Sequence, residues 1–406
     1  MSATDNQEPL LRVEHLCQFF KMGRAELKAV NDVSFTINKG EVFGLVGESG
    51  CGKTTTGRSI IRIYDITSGS IYFKGQRICA GTRSYRDAIK AARKELRELK
   101  ADDPMTQQRR KELEDSISLN KEEIRKAKND HNNSDKIYAE KLAKEVKERY
   151  EKQLQTETDP AKLAELKKQY RDELRVAKNT RLITQIQMIF QDPIASLNPR
   201  MTVREIISEG LVIKGIRDKE YIDEKVYEIL EMVGLVREHA GRYPHEFSGG
   251  QRQRIGIARS VIMKPDLLIA DEPISALDVS IQAQVINLLN DLRDQLGLTI
   301  LFIAHDLSVV KYFSDRIGVM YYGNMVELAP SDELFAHPMH PYTRSLLSAI
   351  PLPDPKAEKR RKRITYNALA AHDYSEDKPT LREIIPGHFV HCNDAEEKAY
   401  REEFNL

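Results

Sequence analysis

The sequence predicts an α/β protein built on a buried, largely parallel sheet. Three observations carry that prediction: apolar, β-branched runs of strand length, helix-like periodicity after most of them, and acidic or glycine-rich segments where the runs end. The runs are 41–46, 185–190, 267–270 and 299–304. At 406 residues the chain has room for two or three domains. Lys plus Arg total 63 and Asp plus Glu total 62, so no global excess of positive charge argues for a nucleic-acid partner. Cys17, Cys51, Cys79 and Cys392 lack the spacing of a zinc site or a disulfide framework and fit a reducing compartment. The first eleven residues are polar, and the longest apolar stretches, such as 298–304, fall far short of the ~18 residues that cross a bilayer. The chain is therefore not expected to span a membrane.

Charge marks the main internal boundary. Of the 100 residues from 81 to 180, 47 are charged, against 78 of the other 306. Within this block apolar residues recur at Tyr85, Ile89, Ala92, Leu96 and Leu99, at Leu142, Val146, Tyr150 and Leu154, and at Leu163, Leu166, Tyr170, Leu174 and Ala177. That spacing gives each segment a narrow apolar stripe on a solvated helix. Pro104, the polar stretch 129–134 and Pro160 are expected to interrupt the pattern, giving several helices folded back as a hairpin or short coiled coil. The block is read as a solvated helical insertion into the α/β domain that packs on itself, with a specific docking arm as the alternative.

The first strand leads into Gly47-Glu48-Ser49-Gly50-Cys51-Gly52-Lys53-Thr54, which fits GxxxxGK[ST], and a helix is expected over 54–64. Glycines let such a loop turn its N–H groups inward as an anion nest, capped by the positive end of the following helix. Lys53 is placed to reach the β- and γ-phosphates of a nucleotide and the Thr54 hydroxyl to ligate Mg²⁺. Cys51 reads as a small filler of that loop. After the run 267–270 come Asp271 and Glu272, at the sheet edge where ligands collect in open α/β folds. Asp271 suits an Mg²⁺ held through its water shell, and Glu272 the polarisation of an attacking water.

A second anion-binding feature follows Phe247: Ser248-Gly249-Gly250-Gln251 precedes an apolar helix pattern at Ile255, Ala258, Val261 and Ile262, with Ser248 as N-cap. One nucleotide does not easily need both features. Here the sequence resembles the ATP-binding cassette family, whose LSGGQ segment binds the γ-phosphate of a nucleotide held by the partner's phosphate loop; Phe247 stands where that family usually has Leu. The resemblance implies an ABC-type nucleotide-binding fold: a RecA-like core, an antiparallel β subdomain and a helical signature subdomain at about 191–262. It further implies ATP and Mg²⁺ held by Gly47 to Thr55, including Thr55 itself, with Thr54, Gln191 and Asp271 on the metal side. Gln191 matches the Q-loop glutamine, Ser275-Ala276-Leu277-Asp278 the D-loop, and His305 the switch histidine that contacts the γ-phosphate. Glu272, His305 and Gln191 form the implied catalytic set. Phe20, with Phe19 as the other choice, looks like the aromatic that stacks on adenine.

The segments Gly44 to Lys53, Phe190 to Pro193, Ser196 to Met201, Ile274 to Ser280 and Leu334 to Arg344 look like those of ATPase subunits of oligopeptide and dipeptide importers, nearest the second ATPase of a two-ATPase system. This implies a cassette formed by 1–79 and 181–330, the insertion 80–180, and a C-terminal extension 331–406 whose start reads as an amphipathic helix between prolines. It also implies a peripheral protein on the cytoplasmic membrane face, paired with a related ATPase or a second copy. Two permease subunits and, indirectly, an extracellular peptide-binding protein complete the implied partners; nucleic acid is not among them. Two departures qualify the match. The insertion is longer than the family's usual connection before the Q-loop, and the tail's lone Cys392 cannot hold the four-ligand iron–sulfur cluster of some relatives. Cassettes acting on DNA or the ribosome are the alternative. The former usually carry a longer insertion after the Q-loop, and the latter carry two cassettes per chain.

Overall fold

The computed structural model describes residues 8–99, 104–156, 159–275, 277–350, 363–375 and 377–404. The chain starts as a long antiparallel hairpin, β1 (Leu11–Met22) with β2 (Ala25–Ile37), then enters a second sheet at β3 (Val42–Val46). The phosphate loop leads into α1 (Lys53–Ile60), after which β4 (Ser68–Phe73) and β5 (Gln76–Ala80) return to the first sheet, ordered β2-β1-β4-β5 and antiparallel throughout. Helices α2 (Arg83–Glu98), α3 (Pro104–Thr156) and α4 (Pro160–Asn179) lie between β5 and β6 (Ile186–Ile189). A helical region follows, made of α5 (Pro193–Ser196), α6 (Val203–Ile213), α7 (Lys219–Met232) and α8 (Gly249–Val261). The chain then alternates through β7 (Leu267–Asp271), α9 (Val279–Leu296), β8 (Thr299–Ala304), α10 (Leu307–Phe313), β9 (Arg316–Tyr321) and β10 (Asn324–Pro330). It ends with α11 (Ser331–Ala336), α12 (Pro341–Ala349), α13 (Ala368–Ala371), β11 (Thr380–Ile385), β12 (His388–Cys392) and α14 (Asp394–Glu403).

The second sheet has the order β11-β12-β10-β9-β3-β8-β7-β6. Its β9-β3-β8-β7-β6 portion is parallel, and its strands are apolar without alternation because both faces are covered. Val42, Leu268, Ile300 and Phe302 face the core shared with α6 to α9, whereas Phe43, Leu45, Ile269, Leu301 and Ile303 face the core shared with the antiparallel sheet. The sheet is largely parallel as expected, and at its other end β10, β11 and β12 add antiparallel pairings. A two-residue turn at Tyr322 and Gly323, both at positive φ, can only return the chain antiparallel to β9, and the tail then adds two strands to the β10 edge. The C-terminal segment thus contributes strands, beyond the amphipathic helix anticipated for its start, and these extend the sheet that carries the site.

The charged block also departs from expectation. The polar stretch 129–134 does not break the helix: α3 runs unbroken for 53 residues, about 80 Å at 1.5 Å per residue. Those polar residues are where the helix crosses the cassette. Arg62 donates to the His131 carbonyl (2.7 Å) and to Ser134 Oγ (3.3 Å), Gln76 to the Ser134 carbonyl (2.7 Å), and Arg77 to Asp130 (2.7 Å). Tyr138, one turn on, is buried in the core beneath the antiparallel sheet. Polarity that reads locally as a break is used for tertiary docking, which outweighs weak local propensity. On either side of this crossing α3 forms a separate hairpin. It meets α2 through Arg109–Glu95, and α4 through Tyr150, whose ring packs at a tilt against Tyr170 and whose hydroxyl donates to Glu173. Arg62→Ala is expected to cost about 1–2 kcal/mol by removing two charge-assisted hydrogen bonds that tie α3 to the cassette, against about 0.5 kcal/mol or less for the exposed Lys144→Ala, as read by urea melts of the full chain. No helix among the described residues is long and apolar enough to cross a membrane.

Candidate nucleotide site

The loops after β3, β6, β7 and β8 meet at one edge of the parallel strands, and each supplies one of the residues singled out above. After β3, the loop turns at Gly47 (φ 148°), Gly50 (φ 82°) and Gly52 (φ 107°). Two of these positions admit no side chain: a Cβ on Gly47 would lie 2.2 Å from the Met320 carbonyl oxygen, and one on Gly52 would lie 2.2 Å from that of Ala29. The loop is therefore seated on the backbones of β2 and β9. Glu48, Ser49 and Gly50 are exposed at its tip, while Cys51, Gly52 and Lys53 are buried and Thr54 and Thr55 half-buried. Burial pushes the Cys51 thiol up, as suits a neutral filler.

Lys53 folds back into the loop. Its Nζ donates to the carbonyls of Gly47 (2.8 Å) and Glu48 (2.9 Å), so the ammonium stands ready beside the exposed amides. Thr54 Oγ1 donates to Asp271 Oδ1 at 2.8 Å across adjoining loops. Asp271 is fully buried at the end of β7, and burial raises its pKa against the lowering effect of the Thr54 bond. Its Oδ2 is buried with no hydrogen-bond partner. An orphaned carboxylate oxygen beside a hydroxyl is a hard-oxygen donor set that fits Mg²⁺, which takes few protein ligands and completes its shell with water and phosphate. Among the described residues no cluster of three or more His, Cys, Asp or Glu offers a cage for another metal.

Glu272 follows at φ 44°, a left-handed conformation that turns its side chain away from the strand direction. Its amide still pairs with the Ile303 carbonyl (2.9 Å), so the turn occurs immediately after the ladder ends. Gln191, just beyond β6, donates to Glu272 Oε2 at 2.8 Å, and His305, just beyond β8, places Nδ1 3.7 Å from the same oxygen. Glu272, Gln191 and His305 thus converge on one point. The segment that follows Glu272 is tied down by Ser275 Oγ on the Glu272 carbonyl (3.1 Å) and by Gln282 Nε2 on the carbonyls of Ile274 (3.1 Å) and Leu277 (3.0 Å). Ala276 lies outside the described residues, and Asp278, exposed, makes no side-chain cap on α9.

Ser248, Gly249 and Gln251 sit at the start of α8, where a capping box joins Ser248 Oγ to the Gln251 amide and Gln251 Oε1 to the Ser248 amide (3.1 Å). Ser248 and Gly249 are exposed and Gly250 is half-buried; at the helix start the amides of Gly249 and Gly250 precede the first intrahelical backbone bond, whereas that of Gln251 is capped by Ser248. Phe20 packs edge-on against Tyr64, and the charged ends of Lys28 and Arg83 each lie 5.6 Å from the Phe19 ring centre.

Residues 30–170 and 152–275 match the family model described as ABC transporter. The chain is 46% identical to the oligopeptide transport ATP-binding protein OppF of Bacillus subtilis, over 97% of this chain and 99% of that protein. The chain belongs to the ABC transporter family. Residues 326–378 match a second model, the oligopeptide/dipeptide transporter C-terminal region, which makes the chain an ABC transporter ATPase of the oligopeptide/dipeptide type. The dipeptide transport ATP-binding protein DppF of Lactococcus lactis is 42% identical, with 98% of each chain covered. Among solved structures, cbiO1 from Clostridium perfringens superposes with a TM-score of 0.50 at 20% identity, over 81% of this chain and 92% of that one. The fold is thus that of the ABC nucleotide-binding cassette, carrying the C-terminal extension of this type of ABC ATPase. Sequence reading missed one contact of this ATPase's phosphate loop: the Glu48 amide donates to Tyr342 Oη at 3.0 Å, across 294 residues of sequence. His340-Pro341-Tyr342 stands out as a motif, but no local signal ties it to a loop so distant.

Proposed function

We propose that this chain is the ATP-hydrolysing subunit of a peptide importer, working as one half of a pair of cassettes beneath two membrane permease subunits. The observation that carries the reading is the convergence of Thr54, Asp271, Glu272, Gln191 and His305 from four neighbouring strand ends, with Lys53 held in the adjoining loop. The amides of Gly50 to Thr55 cradle the phosphates and Lys53 reaches toward the β- and γ-groups. Thr54 and Asp271 would hold Mg²⁺, which supplies charge neutralisation on the phosphate oxygens when bound. Glu272 accepts a proton from the attacking water, oriented by Gln191, and His305 donates toward the γ-phosphate.

The amide end of α8 supports the paired arrangement: it is an exposed set of backbone donors in a chain whose phosphate loop already supplies one anion nest of its own. In the proposed cycle, ATP draws two cassettes together, each closing Ser248 to Gln251 over the other's nucleotide. Hydrolysis removes the ligand that favours closure, and the cassettes part. The relatives' names refer to oligopeptide and dipeptide transport, and uptake of such peptides is the cargo proposed here. The test is affinity purification of the tagged chain from detergent-solubilised membranes. Co-purification of permease subunits and a related ATPase is the expected result; recovery of nucleic acid or ribosomes in their place overturns it.

A further inference from the structure

The extension bound to the β10 edge reaches the phosphate loop through a continuous set of buried polar contacts. Glu327, wholly buried on β10, is its base: Oε1 accepts from the Met339 amide (2.8 Å) and pairs with His388 Nε2 of β12 (2.8 Å), and Oε2 accepts from the His340 amide (3.0 Å). His340 is thereby fixed as the N-cap of α12, its Nδ1 accepting from the Tyr342 amide at 3.2 Å. Pro341 begins the helix without needing a hydrogen-bond partner for its nitrogen. Tyr342, only 2% exposed, is packed in a three-ring cluster with Tyr321 (ring centroids 4.4 Å) and Tyr366 (5.5 Å), and its hydroxyl meets the Glu48 amide.

The amide that Tyr342 receives belongs to the same peptide group as the Gly47 carbonyl, which accepts from Lys53 Nζ at 2.8 Å. A planar trans peptide holds its C=O and N–H on opposite sides. Tyr342 on the amide and Lys53 on the carbonyl therefore grip one plane from both ends. Without the hydroxyl, that peptide loses its hold on the amide side next to the glycine torsions of Gly47, and the carbonyl that orients the lysine shifts with it.

We propose that Tyr342 is a positioning residue for nucleotide binding: its hydroxyl fixes the Gly47–Glu48 peptide so that Lys53 is pre-aimed, and Glu327 with His340 sets the tyrosine in place. The C-terminal extension is on this account a brace for the phosphate loop. The inference rests on the reading of that loop as the ATP site. Burial keeps His340 neutral, with its pKa pushed down to about 3, as its acceptor role requires.

The test is titration of the full-length chain with Mg²⁺ and the non-hydrolysable ATP analogue AMP-PNP, alongside thermal melts. Tyr342→Phe keeps the ring packing and removes the hydroxyl, and it is expected to weaken binding roughly five-fold with little change in melting temperature. His340→Ala is expected to weaken binding comparably, whereas His340→Asn, which still caps α12, is expected to restore most of it. Wild-type affinity in Tyr342→Phe, or a lowered melting temperature with unaltered affinity, overturns the proposal. Should Tyr342→Phe not fold, the His340 pair decides: equal affinity in the Ala and Asn variants overturns it. Lys53→Ala serves as control. Wild-type affinity there would instead overturn the assignment of the loop as the nucleotide site, so the two failures are told apart.

Discussion

Replacing Glu272 by Gln should leave ATP bound and lower turnover by about 10³-fold. The substitution keeps the side chain's volume and an oxygen for Gln191 to donate to, so the 2.8 Å contact has a replacement and the phosphate loop is untouched. What disappears is basicity. The carboxylate is 13% exposed, held by a left-handed backbone at the end of β7, and shares Oε2 with Gln191 and His305. A group so confined has one orientation in which to receive a proton. An amide there orients water but takes no proton from it. Single-turnover phosphate release, measured with nucleotide occupancy on the same sample, checks both halves of the prediction. Release at the wild-type rate would remove Glu272 from the role of base.

Lys53→Ala should fail one step earlier, weakening MgATP binding by about 100-fold or more, since the lost hydrogen bonds are charge-assisted. Lys53 is 4% exposed, and its two carbonyl acceptors belong to the loop that must cradle the phosphates. Removing the ammonium leaves those carbonyls facing the place where phosphate charge would sit. Lys53→Arg is expected to rescue little, because a planar guanidinium is broader than the ammonium pocket beside Cys51 Sγ, 3.7 Å away. Equilibrium titration with MgATP reads the effect. The contrast is the informative part: Glu272→Gln retains nucleotide that it cannot cleave, whereas Lys53→Ala never holds it.

Much of the site could be read from the chain because its motifs are local. Gly47 to Thr54 carries its own turn geometry, and the acids after Leu267 to Ala270 sit at a strand end that both-face burial makes legible. Partners across the sheet, such as Thr54 with Asp271 and Gln191 with Glu272, follow once parallel strands place their C-terminal ends side by side. Three features were not legible, each for a physical reason. The 53-residue α3 hides its docking point in Asp130, His131 and Ser134, residues whose polarity means a break unless the Arg62 and Arg77 side chains opposite are known. β11 and β12 owe their existence to a free edge on β10, which nothing near residue 380 announces. Tyr342 reads as an aromatic on a capped helix, and only the fold brings it to Glu48.

On the proposed reading neither cassette of a pair hydrolyses ATP alone, because the amides around Ser248 complete a neighbour's site. The most direct measurement follows phosphate release and molar mass together, by light scattering, on the purified chain with and without its partner ATPase. Activity is predicted to appear only in samples that form a two-cassette particle with MgATP, and to vanish when Ser248→Arg blocks the end of α8. A strictly monomeric sample turning over ATP as fast as the assembled transporter would contradict it.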